Sequence, residues 1–307
     1  MSSGAATTLD GKIIEEFNSN LRGELLRPGD GDYDAARRVF NWMIDKRPAL
    51  IARCAGTADV ITAVNFARAH NLPVAVRGGG HSVAGNAVCE GGLLIDLSPM
   101  KGMRVDPARR TARAQPGLRL GDFDRETQAF GLATTMGIVS DTGLAGLTLG
   151  GGVGWLNGKY GLACDNLLAA DVVTADGRFL TASASENEDL FWGLRGGSGN
   201  FGIVTSFEYQ LHEVGPVLGG MVLYELGKAK EVLRFYDEFA HACPDELSLA
   251  ALCVTAPDGN RVIAIAACYC GPLAEGERAL APLRGFDTPL ADLIQPMSYV
   301  QMQSFFD

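Results

Sequence analysis

The stretch that decides the fold is Arg77-Gly78-Gly79-Gly80-His81-Ser82-Val83-Ala84-Gly85-Asn86, which follows a short apolar run from Pro73 to Val76. Apolar residues that end in glycines predict a strand running into a loop. Because glycine has no Cβ, successive backbone N–H groups of such a loop can approach an anion the size of a pyrophosphate. A purely structural glycine turn is the alternative interpretation of the same residues.

Two known motifs fail at this loop. Gly80 and Gly85 have the spacing of a P-loop, but Asn86 stands where a P-loop requires lysine. The order Gly80-His81-Ser82-Val83-Ala84 ends in alanine, where the GxSxG elbow of hydrolases has glycine. Neither a P-loop nor a nucleophile elbow is therefore predicted.

A second glycine-rich run extends from Gly143 to Trp155 and places six glycines in thirteen residues. Glycine loses more conformational entropy on folding than other residues, so a run this rich is costly to order as plain core. We expect it to pack against a flat ligand.

A third run, Gly197-Ser198-Gly199-Asn200-Phe201-Gly202, matches the GxGxxG dinucleotide fingerprint. That fingerprint needs a strand before it and a helix after it, and here the predicted order is reversed. A nicotinamide Rossmann site is not expected.

Local patterns predict an α+β fold. Thr57 is expected to cap a helix that reaches Asn71, and residues 93–97 to form a strand. A hairpin is predicted at residues 171–180. Ser185 and Glu188 have capping-box spacing before a helix that closes at Gly196.

After Gly215-Pro216 the glycines thin out and a different order of elements is predicted. We expect a strand near 218–225, a helix near 228–241, strands near 247–255 and 261–269, and a helix near 274–284. The predicted organisation is an N-terminal extension (1–44), a cofactor domain (45–214) and part of an α/β substrate domain with an antiparallel sheet (215–307).

Composition limits the partners. With 26 basic and 36 acidic side chains the formal charge is −10, which makes nucleic acid and anionic membranes poor candidates. The opening residues Met1 to Ala6 lack the pattern of a secretory signal, and no apolar run has the length of a membrane span. A cytoplasmic protein is expected.

The cysteines favour reduced thiols over a disulfide framework, because they are seven in number and scattered among apolar neighbours. Cys268 and Cys270 would share one strand face, but no second ligand pair accompanies them. We expect small core residues and no metal site.

Taken together, these motifs resemble the FAD-linked oxidases of the vanillyl-alcohol-oxidase fold, with their PCMH-type FAD-binding domain of two subdomains, and within them the berberine-bridge-enzyme-like family. The resemblance covers about residues 45–215 and rests on the ordered segments Arg77–Asn86, Asp141–Trp155, Lys159–Asn166 and Leu190–Gly197, the last leading into Asn200–Thr205.

The resemblance implies FAD as cofactor, bound covalently through His81, whose position matches the histidine that the family joins to the flavin 8α-methyl. The first loop would wrap the pyrophosphate, the second would run along the isoalloxazine, and Gly202, Ile203 and Val204 would border the adenine. The cofactor-binding residues implied in this way are Arg77, Gly78, Gly79, Gly80, His81, Ser82, Gly85, Asn86, Asp141, Thr142, Gly143, Gly146, Gly150, Gly151, Gly152, Gly154, Trp155, Gly161, Leu162, Gly202, Ile203 and Val204.

One position departs from the family. Val139 stands where members with two covalent bonds carry a cysteine, so a single bond is expected. Thr142 falls where the family places a side chain over the flavin, and its size would leave O₂ access. The implied reaction is removal of a hydride from a C–H next to an alcohol or amine of a small molecule, with O₂ as acceptor. The catalytic base is not identified from the sequence; if it lies within the chain, Tyr160 is the first candidate.

Two other functions remain open from the sequence. A flavin-binding protein without turnover would be yellow but would not bleach with a donor. A hydrolase using Ser82 or Ser198 would be colourless. The sequence does not predict an oligomeric state.

The segment from residue 215 onward holds fewer predicted elements than a large sheet over the flavin needs. Family members continue into a further segment whose signatures are absent here. We therefore expect a truncated chain, with part of the catalytic machinery outside it.

Overall fold

The computed structural model describes residues 9–256 and 259–307, so the opening residues Met1 to Ala6 lie outside the description. The helices are α1 Gly11–Ser19, α2 Tyr33–Ala36, α3 Thr57–Ala69, α4 Leu120–Gln128, α5 Leu144–Leu149, α6 Asn157–Tyr160, α7 Glu188–Leu194, α8 Ala229–His241, α9 Leu273–Arg284 and α10 Tyr299–Gln303. Short 3₁₀ turns lie at Ala163–Asn166, Ser198–Phe201 and Leu226–Lys228.

In the part of the chain that the structure describes, the strands fall into four sheets. They are β1 Glu24–Leu26, β2 Leu50–Arg53, β3 Val74–Arg77, β4 Leu93–Asp96, β5 Met103–Asp106, β6 Thr111–Ala114, β7 Leu132–Ala133, β8 Leu167–Val173, β9 Phe179–Ser183, β10 Ile203–Gln210, β11 His212–Glu213, β12 Val217–Glu225, β13 Leu247–Thr255, β14 Arg261–Tyr269, β15 Ala291–Asp292 and β16 Gln295–Met297. The mixture of helices with largely antiparallel sheets confirms the predicted α+β class.

The first sheet has the order β1-β2-β4-β3, in which β2, β4 and β3 run parallel. Helix α3 connects β2 to β3 and buries Val60 and Ala63 in the same core as Leu93 and Ile95. β1 pairs antiparallel with β2, so part of the predicted N-terminal extension belongs to this sheet. The sheet delivers the first glycine loop at the carboxyl end of β3.

The second sheet is antiparallel, in the order β5-β6-β10-β8-β9. Phe207 and Tyr209 of β10 are fully buried in a core with Phe123 of α4, and Leu144 of α5 belongs to the same core. The second glycine loop therefore begins against this sheet, and the third leads directly into β10.

The third sheet has the order β13-β14-β12-β15, with β16 also pairing with β12. Residues from α8 and α9 pack on it in one core. A second core joins Trp155 to Val217, Ala266 and Tyr299, so the sheet packs against the preceding part of the chain. The strand and helix bounds here match those predicted after residue 215.

Two predicted helix caps are wrong. Asn187, with φ +50, precedes α7, and its side-chain amide donates to the Thr181 carbonyl at 2.7 Å. Ser185 instead belongs to the turn before it, where its N–H donates to Ser183 Oγ. At α3 the predicted cap, Thr57, is already helical and Gly56 takes the cap position.

Among the residues described, no helix combines the length and apolarity that crossing a bilayer requires. Within the same residues, no cluster of histidine, cysteine and carboxylate side chains is arranged to hold a metal ion.

Candidate cofactor site

The first and second glycine loops touch through their backbones. A Cβ added at Gly79 would lie 2.2 Å from the Cα of Gly143, and a Cβ added at Gly143 would lie 2.4 Å from the Cα of Gly79. Because non-bonded carbon atoms are most stable at about 3.5–4.0 Å, neither position has room for a side chain. We call Gly79 and Gly143 the glycine pair.

Each loop is anchored close to the glycine pair. Gly80 has φ +74 and Gly85 has φ +73, a conformation that favours glycine. The N–H groups of Gly85 and Asn86 donate to Ser82, at its carbonyl (3.1 Å) and its hydroxyl (3.2 Å) respectively. These bonds close the first loop on itself.

The second loop is held from the side of α4. The Leu120 N–H donates to the Thr142 carbonyl at 3.0 Å, and the Leu144 N–H donates to the Leu118 carbonyl at 3.0 Å. The start of the second loop is thereby fixed against the segment that leads into α4.

A cavity of about 990 Å³ lies along these loops. Twelve of the residues predicted from the sequence line it: Gly78, Gly79, Gly80, His81, Ser82, Asn86, Thr142, Gly143, Gly146, Gly202, Ile203 and Val204. The first two glycine loops and the start of β10 thus form one wall of the cavity, which we call the cofactor wall.

The chemistry of this wall fits an FAD pyrophosphate. Within residues 9–256 and 259–307, the N–H groups of Gly79, Gly80, His81 and Ser82 donate to no backbone acceptor. Successive free amides form an anion-binding concavity. Gly146 lines the cavity, and a Cβ there would meet nothing within 4 Å, so this position leaves room that a ligand can fill.

His81 lines the cavity with its imidazole held between two neighbours. The ring stacks on Phe40, with centroids 4.3 Å apart and planes 13° apart. Its Nε2 lies 3.5 Å from Oδ2 of Asp141, whose other carboxylate oxygen pairs with Arg119. Burial, and secondarily the Arg119 guanidinium, lower the pKa of His81 below its usual range, which favours a neutral imidazole.

Arg77 does not line the cavity. Its guanidinium donates to both oxygens of the fully buried Asp96, at 3.0 and 2.6 Å, and also to the carbonyls of Ala36 and Arg38. With its donors used in this way, Arg77 holds α2 and β3 together behind the first loop.

Several other predicted residues also lie away from the cavity lining. Gly152 and Gly154 pack against Ala163 and the Met136 carbonyl, where a Cβ would come within 2.5 Å and 2.0 Å respectively. Trp155 is 2 % exposed and stacks near Phe306. The predicted residues that do not line the cavity are Arg77, Gly85, Asp141, Gly150, Gly151, Gly152, Gly154, Trp155, Gly161 and Leu162.

Tyr160, the candidate base, also lies outside the cavity lining. Its ring stacks on His212 with centroids 4.0 Å apart, and its hydroxyl is 3.4 Å from the Glu213 carbonyl. Burial raises its pKa. Tyr160, on α6, therefore packs against His212 of β11 and does not line the cavity.

The hydrolase alternative finds no support in these contacts. The Ser82 hydroxyl accepts from the Asn86 N–H, while the His81 imidazole pairs with Asp141. Ser198 lines the cavity with φ +64, a backbone conformation of turns.

Sequence reasoning missed Phe40 and Arg119, the groups that hold His81 and Asp141. They lie far from both partners along the chain, and no motif marks them. The other lining residues were not among the predicted cofactor-binding residues: Lys46, Pro73, Val74, Ala75, Val76, Ala87, Val88, Cys89, Glu90, Leu97, Ala145, Leu147, Leu149, Ser198, Gly199 and Asn200.

Comparison with known proteins identifies the class. A model of the FAD binding domain matches residues 48–183. An FAD-linked oxidoreductase of Dictyostelium discoideum is 36% identical over 96% of this chain and 65% of its own length. The (R)-6-hydroxynicotine oxidase of Paenarthrobacter nicotinovorans is 37% identical over 91% of this chain and 62% of its own length. The chain therefore spans less than two thirds of these relatives.

Solved structures of related proteins have the same fold. The crystal structure of 6-hydroxy-D-nicotine oxidase from Arthrobacter nicotinovorans superimposes with a TM-score of 0.90 at 32% identity, covering 97% of this chain and 65% of that one. Berberine-bridge-enzyme-like protein 1 of Physcomitrella patens gives 0.87 at 26% identity, over 94% of this chain and 63% of its own. The chain thus contains an FAD-binding domain of the vanillyl-alcohol-oxidase fold. Beyond that domain, the chain is similar to FAD-linked oxidoreductases and to a berberine-bridge-enzyme-like protein.

Proposed function

We propose that the protein binds FAD along the glycine-lined cavity, bonded once to His81, and oxidises a small molecule. The observation that carries the proposal is the glycine pair: it joins two loops into one wall that has free amides and His81 on it. A covalent flavin, a donor C–H next to an alcohol or amine, and O₂ as acceptor are parts of this proposal.

Each part of the wall has a role in holding the cofactor. The free amides from Gly79 to Ser82 would bind the pyrophosphate, and Gly202, Ile203 and Val204 would border the adenine through their main chain. The isoalloxazine would lie near His81 and Thr142. When bound, FAD supplies a two-electron acceptor that O₂ can reoxidise.

The protein's own contribution is to orient the cofactor. Backbone amides neutralise charge without mobile side chains, so the bound cofactor keeps one position. Val139 lies where a second, cysteinyl bond would start, which supports a single linkage. The short side chain of Thr142 supports access for O₂.

The test is the visible spectrum of the purified chain before and after acid precipitation. Yellow colour should stay with the precipitate of the wild type and be lost from the precipitate of His81→Ala. His241→Ala is the matched control, because that side chain is 79 % exposed at the end of α8.

The outcomes separate the parts of the proposal. Flavin that is released from the wild type by acid would refute the covalent bond and leave FAD binding intact. A colourless protein after incubation with FAD would refute the site itself. Flavin that fails to bleach with alcohol and amine donors would favour a binding protein without turnover.

A further inference from the structure

The imidazole of His81 has two chemically distinct nitrogens, and the structure treats them differently. Nε2 faces the carboxylate of Asp141 at 3.5 Å. Nδ1 has no hydrogen bond or ion pair to any residue in the described parts of the chain. Stacking on Phe40 limits rotation of the ring, so this asymmetry is built into the site.

Asp141 is itself held in place. One of its oxygens pairs with Arg119, which directly precedes α4, and the other faces His81. The bond from the Leu120 N–H to the Thr142 carbonyl ties these two segments together beside the glycine pair. The carboxylate therefore has a fixed direction toward Nε2.

We propose that Asp141, oriented by Arg119, is the positioning residue that prepares His81 for its bond to the flavin. It keeps the imidazole proton on Nε2 and leaves the Nδ1 lone pair as the nucleophile, so the bond forms at Nδ1. This inference rests on the proposed covalent attachment at His81.

Formation of the bond between His81 and FAD removes two protons and two electrons in all. The 8α-methyl group of FAD would lose one proton to water, and the electron pair of that C–H bond would reduce the ring system. Nδ1 then bonds to the 8α-carbon, and the imidazole carries a positive charge until Nε2 releases its proton. The reduced flavin takes up two protons, and O₂ removes two electrons and two protons as hydrogen peroxide.

Asp141 acts while the imidazole of His81 carries a positive charge. A carboxylate beside Nε2 stabilises the imidazolium without taking its proton, which passes to solvent, as in other histidine–carboxylate pairs. The lowered pKa of His81, caused first by burial, supports a neutral ring at the start. Because the Asp141 and Arg119 side chains are 57 % and 43 % exposed, solvent weakens the effect.

The experiment follows covalent incorporation in apoprotein from riboflavin-starved cells. The 307-residue chain is mixed with saturating FAD, so that differences in affinity do not enter, and acid-stable flavin is measured against time. Asp141→Asn is compared with the wild type, with Asp141→Glu as the conservative variant. Asp122→Asn serves as the control, since that carboxylate pairs with Lys101 on the surface of α4.

We expect Asp141→Asn to slow incorporation by about 10-fold or more, Asp141→Glu to recover part of the rate, and Asp122→Asn to match the wild type. NMR of the flavinyl peptide from the wild type should show substitution at Nδ1, a readout that does not depend on how the variants fold.

Substitution at Nε2, or an Asp141→Asn rate equal to that of the wild type, overturns the role of Asp141 while the covalent bond stands. Wild-type chain that binds FAD without forming any bond overturns the proposed attachment and this inference together.

Discussion

At the scale of single residues, the glycines of the site fall into two groups that the sequence does not distinguish. Gly79 and Gly143 have no room for a side chain because backbone lies against them. Gly146 has open space where a Cβ would stand, and that space is the cavity. The first group is needed to build the wall and the second to leave room for a ligand.

Two alanine substitutions separate these roles. Gly79→Ala should destabilise the apoprotein by about 1–3 kcal/mol through overpacking and also lose flavin. Gly146→Ala should leave the apoprotein unchanged or stabilise it by up to about 1 kcal/mol, because alanine favours the helix α5, yet weaken flavin binding. Urea unfolding and flavin content are the measurements.

Gly11→Ala is the control, since a Cβ at the start of α1 meets nothing within 4 Å and the cavity is lined by other residues. If Gly146→Ala kept full flavin content, the cavity beside α5 would not be where the cofactor lies.

At the scale of elements, the small sheet of β7 and β11 contains a pH-sensitive packing contact. His212 of β11 stacks on Tyr160, and its Nε2 lies 2.7 Å from Asn166 Oδ1. Burial, with a smaller effect of Arg110, lowers the pKa of His212. The folded state therefore resists a proton that the unfolded chain accepts below about pH 6.5, so this contact loses stability as pH falls through that value.

The wild type should show a lower urea midpoint at pH 5.5 than at pH 7.5, and His212→Phe, which keeps the stack, should show a smaller decrease. His241→Gln changes an exposed histidine and should behave as the wild type. Equal decreases in wild type and His212→Phe would assign the pH dependence to other groups.

Element bounds were predictable where apolar runs are long and self-contained, as at β13 and β14, whose predicted bounds are confirmed. The cap of α7 was not predictable, because the side chain of Asn187 donates a hydrogen bond to the Thr181 carbonyl of β9, and the local capping pattern does not include this contact. The glycine loops were found in the sequence, but their contact with each other was not, since pairing between distant segments leaves no local trace. The contacts of Phe40 with His81 and of Arg119 with Asp141 were not predicted for the same reason.

At the scale of the whole molecule, the part before residue 215 and the part after it share a core. Trp155 is 2 % exposed and lies in a cluster with Val217, Ala266 and Tyr299. Burial of this kind couples the two parts, so we expect them to unfold in one cooperative transition.

Trp155→Ala should cost about 3–5 kcal/mol and split thermal unfolding into two transitions, because the cavity left behind removes the shared contacts. Trp192→Ala, at a side chain 80 % exposed on α7, should keep one transition within about 0.5 kcal/mol of the wild type. Calorimetry distinguishes these results, and a single transition in Trp155→Ala would mean that other contacts couple the two parts.

The glycine pair also has a consequence for the order of folding. It joins segments far apart along the chain, as does the pairing of β6 with β10, and such contacts carry the entropic cost of closing long loops before they contribute stability. We therefore expect the cofactor wall and the second sheet both to be completed late in folding. We expect FAD to bind after the wall has assembled, so that its effect is to slow the unfolding of the folded chain.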